Sequence, residues 1–130
     1  SLLDFQYRGI TSQMDKRPLA IISGGETTTT VTGSGKGGRN QELAVKFLVT
    51  TKLTGKWTFY SVGSDGIDGN SDAAGGMVSS EMLLNSELQQ QAQKYLLNSD
   101  SNPFLRLRGG AIVTGPTGAN VMDIQVLVAE

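Results

Sequence analysis

The sequence contains neither cysteine nor histidine, and each absence removes a class of chemistry. Without cysteine there are no disulfide staples, thiolate metal sites or thiol nucleophiles. Without histidine the commonest general base and the commonest zinc ligand are missing, so a Ser-His-Asp triad and a typical catalytic zinc site are excluded. Any chemistry must rest on Asp, Glu, Lys, Arg and hydroxyl groups. No run of about 18 apolar residues occurs, and the opening SLLDFQYRGI has neither the basic start nor the apolar length of a signal peptide. A formal net charge of −1 supplies no general field for nucleic acid or an anionic membrane. These features predict a soluble, cytoplasmic protein, with a mitochondrial location left open, and no nucleic-acid or membrane partner.

What is abundant is glycine, 17 of 130 residues against a usual share of about 7%, which points to tight turns or ligand sites lined by backbone. The length suits one domain with one core. Residues 1–17 show no clean periodicity and read as a linker or the remnant of a preceding region, since the chain opens on Ser. Residues 18–130 are expected to form the domain.

Within it, Leu19 to Ile22 is a short apolar run closed by Gly24 and Gly25, which predicts a strand. The Thr-rich stretch TTTTVT before Gly33 favours extended backbone. Leu43, Ala44, Phe47 and Leu48 recur at helical spacing from Asn40, with Gly55 as the expected stop. Trp57 to Val62 reads as a strand and SDGIDGNSDAAGG, residues 64–76, as a polar loop. Leu84, Leu88, Ala92, Tyr95 and Leu96 mark a second helix with Ser86 and Gln89 at capping-box spacing. Asn102 as N-cap before Pro103 opens a short third helix, and AIVT and IQVLVA close the chain as strands. Alternating strands and helices predict an α/β layered sandwich whose largely parallel or mixed sheet is flanked by helices.

TGSGKGGRNQEL, Thr32 to Leu43, is the most unusual stretch. Gly33, Gly35 and Gly38 satisfy the G-x-G-x-x-G spacing, but the acidic residue wanted about 20 residues later is absent from its place. A P-loop is excluded, because Thr30 stands where its first glycine belongs and Gly37 follows Lys36. Lys36 and Arg39 sit where a helix N-terminus carries about half a positive charge and disfavours cations by about 0.3–1 kcal/mol. One explanation is an anion held by the Gly37 and Gly38 amides, Lys36 and Arg39. The other is a solvated Arg39–Glu42 pair. Spacing alone leaves both open.

Asp65, Asp68 and Asp72 crowd one loop. An EF-hand is rejected, with Ala73 and Ser79 in the Gly and Glu positions. The carboxylates remain candidates for magnesium, for accepting a hydroxyl proton, or for fixing turns. VTGPTGAN offers Thr114, Thr117 and Asn120 after another strand. Ligands of open α/β sheets gather beyond strand ends, so convergence of these loops would make a site.

Four blocks, SGGETT (Ser23 to Thr28), GKGGRNQE (Gly35 to Glu42), SDGIDGNSDAAG (Ser64 to Gly75) and TGPTGANVMD (Thr114 to Asp123), together resemble the MOFRL domain, the C-terminal domain of glycerate kinases of the glycerate 2-kinase type. The segment NSDSNPFLRL and the Gln-rich helix before it depart from that pattern. The resemblance implies an ATP- and Mg2+-dependent transfer of the γ-phosphoryl group to D-glycerate, in a cleft shared with an N-terminal domain absent from this sequence. The isolated segment is then expected to be inactive or nearly so.

Carried onto matching positions, the resemblance implies catalytic roles for Arg39, Lys36 and Asp65. It places Glu26, Thr27, Thr28, Gly37, Gly38, Asn40, Glu42, Asp68, Thr117 and Asn120 about the substrate, with Asn40 and Glu42 orienting Arg39 and with Asp65 and Asp68 as metal candidates. A homodimer is left open. The alternatives are an NAD(P)-dependent hydroxypyruvate reductase domain and a non-catalytic interaction module.

Overall fold

The computed structural model describes residues 18–25, 35–119 and 122–130. In chain order these form β1 (Leu19–Gly25), α1 (Arg39–Thr50), β2 (Trp57–Gly63), β3 (Gly75–Ser79), a 3-10 turn at Ser80–Leu84, α2 (Ser86–Leu97), α3 (Ser101–Leu107), β4 (Ala111–Ile112) and β5 (Asp123–Ala129). The expected Thr-rich strand lies outside the described residues, as do residues 1–17.

The strands form one sheet in the order β1-β5-β2-β3-β4, and every pairing is antiparallel. This corrects the expected parallel or mixed sheet. β1 and β2 do run in the same direction across the α1 crossover, as alternating elements suggest. They are not neighbours, because the last strand inserts between them and runs against both. β2 and β3 are joined by a loop without a helix, which permits only an antiparallel pair.

β2 and β5 bury every second residue, the period-two signature of a sheet covered on one face. Trp57, Phe59, Val78, Leu127 and Ala129 meet Leu43, Ala44, Phe47 and Leu48 of α1 and Phe104 and Leu105 of α3 in one apolar cluster. Phe47 stacks on Phe59 with ring centroids 4.2 Å apart and meets the edge of Trp57 at 5.2 Å, geometries that add to simple burial.

Several element boundaries differ from those expected. α1 ends at Thr50, well before Gly55, and Leu53 enters the core from the extended segment that follows. The cap of α2 is Asn85, whose side chain accepts from Glu87 N at 3.0 Å, so Ser86 is already helical. In α3 the N-cap position falls to Asp100, and Asn102 turns inward. Gly75 and Gly76 belong to β3 and not to the loop. A Cβ on Gly75 would stand 2.7 Å from Val62 Cα, and one on Gly76 2.6 Å from Leu105 Cδ1. They are glycines because neighbouring strand and helices come closest there.

Candidate functional site

The register grades the helix-covered face of the sheet from apolar to polar. Leu19, Ala129 and Trp57 form one cross-strand row and Ile21, Leu127 and Phe59 the next; Ser23, Gln125 and Ser61 follow, and Gly25, Asp123 and Gly63 complete the face. The polar end is where the loops leave and where α1 begins.

α1 starts at an N-cap glycine, Gly38, without a capping side chain of its own segment. Its orphan donors are met from the acidic loop instead. Asp68, fully buried, accepts from Asn40 N at 3.0 Å and Gln41 N at 2.8 Å, and from the side chains Asn40 Nδ2 at 3.2 Å and Gln41 Nε2 at 3.1 Å. Four bonds occupy the roughly four lone-pair directions of a carboxylate. The anion a helix N-terminus prefers is thus supplied by the protein itself. Asp68, expected as a metal or substrate ligand, is engaged here by the helix start. A Cβ on Gly38 would stand 2.6 Å from Asp68 Oδ1, so the glycine lets the carboxylate reach the helix. Gly37 N donates to Asn70 Oδ1 at 2.8 Å, so this amide, too, serves the loop instead of an external anion.

Arg39, the first residue of α1, reaches across to the first residue of β5. Its Nε donates to Asp123 Oδ2 at 2.6 Å and its Nη2 to Asp123 Oδ1 at 2.9 Å. The Asp123 side chain is 1% exposed and that of Arg39 35%, so the pair is closed on the carboxylate side and open on the guanidinium side. The proposed solvated Arg39–Glu42 pair is replaced by this one; Glu42 is buried and lies 3.7 Å from Lys46.

The remaining predicted residues are placed as follows. Lys36 is exposed; its backbone N donates to Asp100 Oδ1 at 2.7 Å and its carbonyl accepts from Asn102 N at 2.9 Å. Asn40 is buried and accepts from Ser61 Oγ at 2.8 Å while bonding Asp68, which makes it a support of the helix start. Asp65 is half-buried and its Oδ1 accepts from Ile67 N at 3.1 Å, the turn-fixing role considered for it. Thr117 donates from Oγ1 to Ser64 O and from its amide to Asp65 O. The glycine stretch, the acidic loop and the last loop therefore do gather beside the polar end of the sheet. Glu26, Thr27, Thr28 and Asn120 lie outside the described residues.

A polar chain, buried at Gln41, Ser71 and Asn102 and exposed at its Arg106–Asp72 end, supports this corner. Gln41 Nε2 donates to Ser71 Oγ and Gln41 Oε1 accepts from Asn102 Nδ2, both at 2.8 Å. Arg106 Nε then donates to Asn102 Oδ1 at 3.0 Å and its Nη2 bonds Asp72. The Arg106 hydrogen bond holds the Asp72 carboxyl below the ordinary aspartate range.

Asp123, Gln41 and Ser61 are not singled out by the sequence, and Asn102 reads there only as a helix cap. A signal existed for Asp123: period two puts it and Gln125 on the same strand face as Leu127 and Ala129, and a polar residue on a buried face needs a partner.

The described residues hold their best-placed carboxylates and helix-start amides in internal bonds. Among them no three acidic side chains cluster to hold a metal, Asp68 and Asp123 are committed internally, and α1 offers its first amides to Asp68.

Fold and site together define a one-sided antiparallel α/β domain that holds a buried carboxylate behind a solvent-reaching arginine at the start of a helix. The MOFRL family model matches residues 19–123, and the chain belongs to the MOFRL family. It is 44% identical over 109 residues to the glycerate 2-kinase of Picrophilus torridus, covering 84% of this chain and 25% of the relative. It is 38% identical over 128 residues to human glycerate kinase, covering 90% and 24%. The crystal structure of a glycerate kinase from Thermotoga maritima superposes with a TM-score of 0.81 at 35% identity, over 98% of this chain and 33% of that one. The chain thus spans about a quarter to a third of the length of the relatives it matches.

Proposed function

We propose that this domain forms one wall of the cleft of a glycerate kinase, which transfers the γ-phosphoryl group of ATP to a hydroxyl of D-glycerate. The observation that carries the reading is the Arg39–Asp123 pair, set within the family-matched residues and open to solvent on its cationic side. A guanidinium held in one plane suits a carboxylate or a transferring phosphoryl group. Lys36 adds a flexible point charge nearby in sequence, and Asp65 and Thr117, whose loops are joined by the Thr117 amide and the Asp65 carbonyl, are the groups assigned to orienting the acceptor. Glu26, Thr27, Thr28 and Asn120, which lie outside the described residues, are assigned to the substrate by the family resemblance alone. ATP and Mg2+ take their ligands chiefly from the remainder of the longer polypeptide, since among the described residues Asp68 and Asp123 are engaged internally.

The test is ATP-dependent phosphorylation of D-glycerate by the full polypeptide carrying this domain, with Arg39→Lys beside it. Turnover is expected in the parent and a loss of about 100-fold in kcat/KM in the variant, where the planar fork is gone but the charge is kept. A parent that instead consumes NAD(P)H with hydroxypyruvate, or an unimpaired Arg39→Lys enzyme, sinks the reading.

A further inference from the structure

We propose that Asp123 is a positioning residue, whose carboxylate fixes the plane of the Arg39 guanidinium and thereby the direction in which that group meets an anion. The inference rests on the reading of Arg39 as the substrate-facing cation and assigns the residue that makes it effective.

Both ends of the contact are anchored in rigid backbone. Asp123 opens β5 and is registered between Gly25 of β1 and Gly63 of β2, so ladders on either side fix its Cα. Arg39 opens α1, whose first turn is tied by the fully buried Asp68 through the next two backbone amides. A single bond between the side chains would let the guanidinium swivel. Two near-parallel bonds, at 2.6 and 2.9 Å, define its plane.

Burial gives the pair a direction. The carboxylate is closed off at 1% exposure and the guanidinium is 35% exposed, so a ligand arriving from solvent meets the cation with the carboxylate behind it. Because the two charges sum to about zero, Asp123 lowers the general attraction for anions while it fixes geometry. Its contribution therefore belongs to the alignment needed in the transition state, where a displacement of about 1 Å costs about 100-fold.

The decisive variant is Asp123→Asn in the full polypeptide, which keeps the shape and removes the charge. Expected is a fall in kcat of about 100-fold with KM for D-glycerate unchanged within about threefold or lowered. Combining it with Arg39→Lys should cost no more than about twofold beyond Arg39→Lys alone, since both act through one contact. Wild-type kcat in Asp123→Asn, or losses that multiply in the double variant, would overturn the proposal. Selective 15N labelling of arginine in the unmutated full polypeptide gives a readout independent of activity and of whether a variant folds. The Arg39 Nε–H, assigned by its absence in Arg39→Lys, should exchange with water at least about tenfold more slowly than exposed arginines; exchange at their rate overturns the proposal. If the unmutated polypeptide does not phosphorylate D-glycerate, the kinase reading falls while the exchange measurement still decides the role of Asp123.

Discussion

Arg39 and Asp123 join the start of α1 to the start of β5 through two bonds, 84 residues apart in sequence, and of the two side chains only the arginine reaches solvent. Their substitution should therefore be unequal. Arg39→Ala takes two hydrogen bonds from a buried carboxylate and should lower stability by about 2–3 kcal/mol, whereas Asp123→Asn leaves a cation that can hydrate and should cost about 1 kcal/mol. Urea unfolding followed by Trp57, the single tryptophan, checks the order. Equal costs would mean that the carboxylate is less enclosed than described.

Asp68→Ala should be among the most damaging single changes at this corner. It removes the carboxylate acceptor from the amides of Asn40 and Gln41 and one acceptor from each of their side-chain NH2 groups, at about 3 kcal/mol or more. Hydrogen exchange of the Asn40 and Gln41 amides should quicken before the rest of α1. If they keep their protection, the helix start has another cap.

Gly38→Ala attacks the same contact from the opposite side. The added methyl would stand 2.5 Å from Asp68 C and 2.6 Å from Oδ1, pushing the loop off the helix. A loss of about 2 kcal/mol is expected, and the part due to the carboxylate should vanish when Asp68 is already Ala, while the contact with the backbone carbon of residue 68 remains. Additive losses in the double variant would contradict this account.

Asp72 offers a pH test. Its pKa is lowered by the Arg106 hydrogen bond first, with the nearby positive charge adding to it. A depressed carboxyl pKa contributes stability that is present above the unfolded value and is lost as pH falls through the folded one. The effect is thus confined to pH below the ordinary aspartate range, and small because the pair is exposed. Carbon-detected titration should place the Asp72 midpoint below that of an ordinary aspartate, and Arg106→Gln should raise it. An unmoved midpoint in Arg106→Gln would remove Arg106 as the cause.

The strands at Leu19 and Trp57 and the helix containing Leu43, Ala44, Phe47 and Leu48 were legible because apolar periodicity is a local property. Gly75 and Gly76 were misread as loop because glycine marks both turns and close approaches, and only the positions of β2, α1 and α3 distinguish the two. The four blocks named segments that meet at the polar end of the sheet, yet their side chains had to be seen in place to assign partners. Spacing could pair Arg39 with Glu42 one turn away, but not with Asp123 at the far end of the chain.

What the sequence by itself determined is the apolar pattern of the main elements, the exclusion of histidine and cysteine chemistry, and the family. Only the tertiary structure decided that β5 enters between β1 and β2, making the sheet antiparallel, and that Asp68 and Asp123 supply the negative charge demanded by the helix start and by Arg39. The reason is physical. Helix and strand periodicity is written in neighbouring residues, whereas strand order and the neutralisation of a buried charge depend on groups brought together from distant parts of the chain.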